Sequence, residues 1–142
     1  MIYCDASLIV ALIVEETRSD VAAAWIERRS QDDLAVSGWV MTEVASALAM
    51  KFRMGVLSRV RRDAAEDVWR RTAIGMTIVE VVAADFYRAV TLVDAGPHGL
   101  RAGDALHVAI AQRRGFSLAT FDKGMIDGAR AVNVAIATID GA

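Results

Sequence analysis

The sequence predicts an α/β fold, a parallel sheet with helices on both faces, and three observations carry that prediction. Five short apolar runs, at 1–4, 34–37, 78–81, 116–120 and 132–136, suit buried strands. Helical patterns separate most of these runs at distances too long for hairpins, so consecutive strands must cross over and run parallel. Ala105 to Ala111 carries no charged residue, so the helix holding it must be buried almost all round, as a helix in a sandwich layer is. With 142 residues, 55% of them hydrophobic, the chain is long enough for one full core and too short for two, so residues 1–142 read as one domain.

The first strand starts almost at the terminus, and Asp5 follows it directly. A helix then runs from Ser7 to Val14. Glu15 to Asp20 breaks it before an amphipathic helix carrying Trp25 and Ile26. After the second strand, a helix spans Trp39 to Arg53, with Lys51 and Arg53 at the negative end of its dipole and Gly55 as its stop. Its stripe of Val40, Glu43, Ala47 and Met50 sets Glu43 among apolar neighbours. Ser58 caps a polar helix to Thr72 that holds five arginines between Arg59 and Arg71. Beyond the third strand, Ala84 to Val93 is a helix with Phe86, Tyr87, Val90 and Val93 as its apolar face. Asp94 to Gly99, with Pro97 and His98, is a turn. The buried helix opens near Asp104 and stops at Arg113, Arg114 and Gly115; the fourth strand then delivers Asp122 at its carboxyl end. Lys123 to Arg130 is a short helix or turn containing Asp127, and the fifth strand follows.

Composition excludes several classes. One cysteine, Cys4, allows no internal disulfide and no cysteine-cluster zinc site, and two isolated histidines make soft-metal chemistry a poor fit. The apolar run Ala6 to Val14 has no basic leader and falls far short of the roughly 20 residues of a membrane span, so the expectation is a soluble, cytoplasmic protein. A net charge of −2 means that any nucleic-acid binding must rest on a local patch.

The chemistry lies in the acids. Asp5 and Asp122 each follow a strand, Asp104 opens a buried helix, and Glu43 lies on a helix that follows a strand, so one sheet edge can collect all four. Carboxylates forced together repel unless they share protons or bind cations. Oxygen-only ligands favour a hard ion, Mg²⁺ or Mn²⁺, and the matching reaction is attack of metal-activated water on a phosphodiester. Ser7 and Thr120, each two residues from an acid, are candidate supports for the carboxylates. Arg101 is a candidate phosphate contact, and the arginines from Arg53 to Arg71 either guide RNA or form a solvated face. Asp127 reads as a turn acid, and His107 as a packed histidine bonded to a neighbour.

These residues resemble the PIN-domain ribonucleases, in particular the VapC-type toxins of toxin–antitoxin pairs. The resemblance rests on Tyr3-Cys4-Asp5-Ala6-Ser7, Thr42-Glu43-Val44, Gly103-Asp104-Ala105-Leu106-His107 and Thr120-Phe121-Asp122, and spans essentially the whole chain. It implies a PIN-like three-layer sandwich with a five-stranded parallel sheet, and a Mg²⁺- or Mn²⁺-dependent endoribonuclease. It also implies a homodimer and an inhibiting antitoxin of VapB type. Asp5, Glu43, Asp104 and Asp122 would be the metal-binding catalytic acids and Ser7 and Thr120 supporting hydroxyls, while Asp127 falls where some relatives carry a supplementary acid and its role stays open. Gly103 stands where relatives more often carry a larger residue.

Rival readings are an aspartyl phosphatase and a signalling receiver domain. The first wants a second acid where Ser7 stands, and the second an acidic pair where Asp5 stands alone. A catalytically inactive PIN module that only binds RNA or protein is the alternative from another class.

Overall fold

β1 (Ile2–Cys4) is the strand on which the sheet is built. β2 (Leu34–Ser37) pairs along one side of it and β4 (Ser117–Ala119) along the other, while β3 (Thr77–Val79) adds outside β2. All pairings are parallel, and Tyr3 lies opposite both Ala35 and Leu118. The computed structural model describes residues 1–95 and 99–139, so Gly96, Pro97 and His98 of the expected turn lie outside the described residues.

The sheet has four strands among the described residues, not the five expected. The segment 132–136 contributes one parallel bridge, Ile136 to Leu118, with bonds from Leu118 N to Ala135 O (2.8 Å) and from Ala137 N to Leu118 O (2.9 Å). The reason is local: Val132 still caps the preceding helix and Asn133 turns with φ 60°, so the chain meets the β4 edge only from Ala135.

Among the described residues seven α-helices follow the expected order: α1 (Ala6–Ile13), α2 (Ser19–Glu27), α3 (Gly38–Arg53), α4 (Arg59–Ile74), α5 (Ala83–Ala95), α6 (Ala102–Arg114) and α7 (Lys123–Ala131). Polar side chains start four of them. Asp5, Ser37, Ser58 and Asp122 accept from the backbone N–H groups of Leu8, Val40, Arg61 and Met125, satisfying donors that a helix start leaves open. Gly115, at φ 64°, ends α6 in the left-handed conformation expected of it.

α1 packs against α2, α3 and α4, whereas α6 packs against α5 and α7. Right-handed crossovers explain the division: β1 to β2 to β3 steps one way across the sheet and β3 to β4 steps back, which assigns the two sets to opposite faces. Strand order therefore reverses at β1. The crevice beyond the carboxyl ends of β1 and β4 is the topological switch point, where open α/β sheets bind their ligands.

Burial matches expectation for α6, whose residues Ala105 to Ala111 are all buried. Trp25 is fully buried, as its spacing suggested. On α3 the buried stripe is Val40, Val44 and Leu48, with Glu43 half-buried beside it and Met50 exposed. On α5 the expected face is overturned. Phe86, Tyr87, Val90 and Val93 are exposed, and the helix buries Asp85, Ala89 and Leu92 against α6. An ion pair between the buried Asp85 carboxylate and the more exposed Arg113 fixes that orientation. The polar helix α4 carries Arg62–Glu66 and Arg70–Asp67 pairs, and Arg59 and Arg62 lie over the Phe52 ring, so much of its charge has a structural use. Among the described residues no helix is long and apolar enough to cross a membrane.

Candidate functional site

Asp5 leaves β1 into the switch-point crevice with only 3% of its surface exposed. A carboxylate there must be hydrogen-bonded. Its Oδ1 accepts from Ser7 Oγ (2.8 Å) and Leu8 N (3.2 Å), and its Oδ2 from Thr120 Oγ1 (2.9 Å). Burial raises its carboxyl above the ordinary range, while nearby His107 and these donors pull the other way. The two hydroxyls also accept from the chain leaving β4, Ser7 from Phe121 N (3.0 Å) and Thr120 from Asp122 N (3.0 Å). Ser7 and Thr120 thus lace the ends of β1 and β4 together around Asp5.

Asp122 is exposed, and its Oδ1 caps α7 through Met125 N at 2.8 Å. Asp104 is half-buried in the first turn of α6, with Oδ2 accepting from Arg101 N at 3.1 Å. Burial raises its carboxyl first; the Arg101 N–H opposes that, and the Asp122 charge raises it further. Glu43 reaches across from α3, and its Oε2 lies 2.6 Å from His107 Nε2. All four acids, with Ser7, His107 and Arg18, line one open cleft of about 380 Å³.

The donor set, carboxylate oxygens crowded enough for one charge to shift another's proton affinity, has the chemistry of a hard divalent cation site. Its geometry is not drawn in to one point: among the described residues no three His, Cys, Asp or Glu side chains are set to hold one ion. Each acid instead has an oxygen engaged locally, in a cap, a hydroxyl bond or the His107 bond.

The family model of the PIN domain matches residues 2–131. The chain belongs to the PIN domain family. Solved structures agree on this PIN domain's fold. FitAcB of Neisseria gonorrhoeae is 18% identical with a TM-score of 0.75, covering 96% of each chain. VapC20 of Mycobacterium tuberculosis, a sarcin-ricin loop cleaving toxin, is 17% identical with a TM-score of 0.72, covering 95% of this chain and 97% of that one. VapBC2 of Rickettsia felis, bound to a DNA fragment from its promoter, is 17% identical with a TM-score of 0.68, covering 96% of each. No match is found among curated proteins.

The remaining expected residues fall outside the cleft lining. Arg101 is exposed and holds Asp104 through its backbone, and Asp127 on α7 pairs with Lys123 at 2.7 Å. Sequence reasoning missed Arg18, whose guanidinium donates to Phe121 O (3.2 Å) and stacks over the Phe121 ring, placing a cation beside the acids. It missed Trp39 as well, whose buried Nε1 has no partner among the described residues. Gly103 accounts for its own small size: a Cβ there would sit 3.0 Å from Glu43 Oε1 and 3.7 Å from the Trp39 ring. The i, i+4 spacing of Gly103 and His107 was the available signal, because it puts both on one face of α6 toward Glu43.

Proposed function

We propose that this PIN domain is a cytoplasmic metal-dependent endoribonuclease, the toxin of a type II toxin–antitoxin pair, with Asp5, Glu43, Asp104 and Asp122 as its metal-binding acids. The observation that carries the reading is the gathering of all four carboxylates in one switch-point cleft. A bound Mg²⁺ or Mn²⁺ supplies neutralisation of that charge and activation of water for attack on phosphorus. The chain's own residues supply the frame. Ser7 and Thr120 fix Asp5, Arg101 N fixes Asp104, and Arg18 offers a cation to the phosphate backbone. The similarity to VapC20 and VapBC2 supports RNA as the substrate class and a VapB-type antitoxin as the partner. The exposed row of Phe86, Tyr87, Val90 and Val93 suits a protein partner, either the antitoxin or a second copy in a homodimer.

Cleavage of RNA is expected to stop in EDTA and return with Mn²⁺, leaving 5′-phosphate and 3′-hydroxyl ends, since water rather than the ribose 2′-hydroxyl is the nucleophile. A 2′,3′-cyclic phosphate or EDTA-resistant cleavage refutes the mechanism. The binding-only alternative has one observation in its favour, the carboxylates not drawn in to one point. Expression of the Asp104→Asn variant separates the two: growth arrest as strong as the parent's supports binding alone.

Gly103 gives a test in which stability and metal binding move oppositely. Alanine exceeds glycine in helix propensity by up to about 1 kcal/mol, so Gly103→Ala should melt no lower than the parent. Its methyl forces Glu43 Oε1 to yield by a few tenths of an ångström. Calorimetric Mn²⁺ affinity is expected to fall about threefold to tenfold, less than the roughly tenfold to hundredfold cost of losing an outer partner outright.

A further inference from the structure

We propose that Ser37, Tyr3 and His107 form a one-way hydrogen-bond relay whose end, the N–H at His107 Nε2, positions Glu43 for the cation. The proposal rests on the metal-site reading above and adds residues to it.

The relay is continuous and almost dry. Ser37 Oγ lies 2.7 Å from Tyr3 Oη, Tyr3 Oη 3.1 Å from His107 Nδ1, and His107 Nε2 2.6 Å from Glu43 Oε2. Ser37 and Tyr3 are fully buried and His107 is 2% exposed, whereas the Glu43 side chain is 30% exposed and belongs to the cleft. Three segments distant in sequence meet here: the end of β2, the middle of β1 and the buried helix α6.

Proton accounting gives the relay its direction. Ser37 Oγ accepts from Val40 N (3.4 Å) as the cap of α3, which leaves its own proton for Tyr3. Tyr3, having accepted, donates onward to Nδ1. A neutral imidazole that accepts at Nδ1 carries its proton at Nε2, the nitrogen facing the carboxylate. The reverse assignment sets an unprotonated Nε2 against Glu43 Oε2, two lone pairs at 2.6 Å, and fails for a neutral ring. The forward assignment gives every buried group in the relay a partner.

The consequence is a division of labour within one carboxylate. Oε2 is taken by His107, and Oε1, 3.0 Å from where a Cβ on Gly103 would sit, is the oxygen left to offer. His107 and Tyr3 are therefore positioning residues that act through Glu43.

Two measurements test this. In the metal-free chain, nitrogen-15 NMR of the His107 ring should show a proton on Nε2 and a bare Nδ1 at neutral pH; a protonated Nδ1 overturns the relay whether or not any metal binds. Mn²⁺ titration calorimetry then reads the coupling. His107→Leu is expected to weaken Mn²⁺ binding about tenfold to a hundredfold, the cost of losing a ligand's outer partner. His107→Gln, whose amide nitrogen reaches the Nε2 position, should recover most of that loss, and Tyr3→Phe should lose about threefold with little change in packing. Adding His107→Leu to Glu43→Ala should cost nothing more, because the two act as one unit. Full additivity, or parental affinity in His107→Leu, overturns the proposal. Absence of Mn²⁺ binding by the parent overturns the metal-site reading instead, and the ring measurement still decides the relay's direction.

Discussion

Replacing Asp5 by asparagine is expected to raise the melting temperature of the metal-free protein while abolishing RNA cleavage. The carboxylate is 3% exposed, and its hydrogen bonds among the described residues come from the Ser7 and Thr120 hydroxyls and the Leu8 N–H. Hydrogen bonds return only part of the cost of taking a charge out of water. Asparagine keeps a carbonyl oxygen for Ser7 and Leu8 and removes the charge, and the freely rotating Thr120 hydroxyl can turn to accept from its amide. A gain of about 1 kcal/mol, or roughly 3 °C, is expected by calorimetric melting in EDTA. Cleavage should fall more than about a hundredfold, beyond the loss of an outer partner, because the acid itself is the proposed ligand. A lower melting temperature would mean that Asp5 is a structural cap only.

The sign of the pH dependence follows from the same burial. The folded state raises the Asp5 carboxyl above its ordinary value, so between the two values the folded protein holds a proton that the unfolded chain has released. The stability this contributes is fully present below the ordinary carboxyl range and is lost as pH rises through the raised value. Asp104, half-buried and beside Asp122, has the same sign. The metal-free protein should therefore gain from mild acidification through these two groups, and Asp5→Asn should flatten the slope. Added Mn²⁺ should stabilise more at higher pH, since it binds the ionised forms.

Three of the four acids were legible in the sequence because they sit at boundaries, and Glu43 because it interrupts an apolar stripe. Asp5 and Asp122 follow apolar runs, Asp104 opens an uncharged stretch, and a parallel sheet must bring such boundaries to one edge. What the sequence did not show is how the edge is held. The bond between Glu43 and His107 joins residues 64 apart, and the spacing of Gly103 and His107 marks a face of α6 without naming the partner across it. The α5 face was misread for a related reason: Phe86, Tyr87, Val90 and Val93 form the more apolar stripe, yet α5 docks by its smaller one. Hydrophobic periodicity chooses a face only when nothing stronger does, and here Arg113 and Asp85 choose it. The fifth strand failed for want of length, since the turn at Asn133 consumed residues counted toward it.

That choice of face leads to the largest expected change in stability. Arg113 Nε donates to Asp85 Oδ1 at 2.6 Å and its terminal nitrogen to Oδ2 at 3.0 Å, a two-pronged clamp on a carboxylate that is 1% exposed. Asp85 Oδ2 also accepts from Val82 N (2.9 Å) at the start of α5, and Arg113 reaches Glu80 O (2.8 Å), so one cation at the end of α6 gathers the whole entry to α5. Arg113→Ala strands a buried charge, and a loss of about 3 kcal/mol, or roughly 10 °C, is expected in calorimetric melts. Asp85→Asn, which keeps the backbone cap and removes the charge, should cost less. Combined with Arg113→Ala it should restore part of the stability, because the damage lies in the unpaired carboxylate and not in the missing guanidinium. If the double variant is instead as unstable as the sum of the two losses, the pair acts through packing alone, and the docking of α5 rests on Ala89 and Leu92.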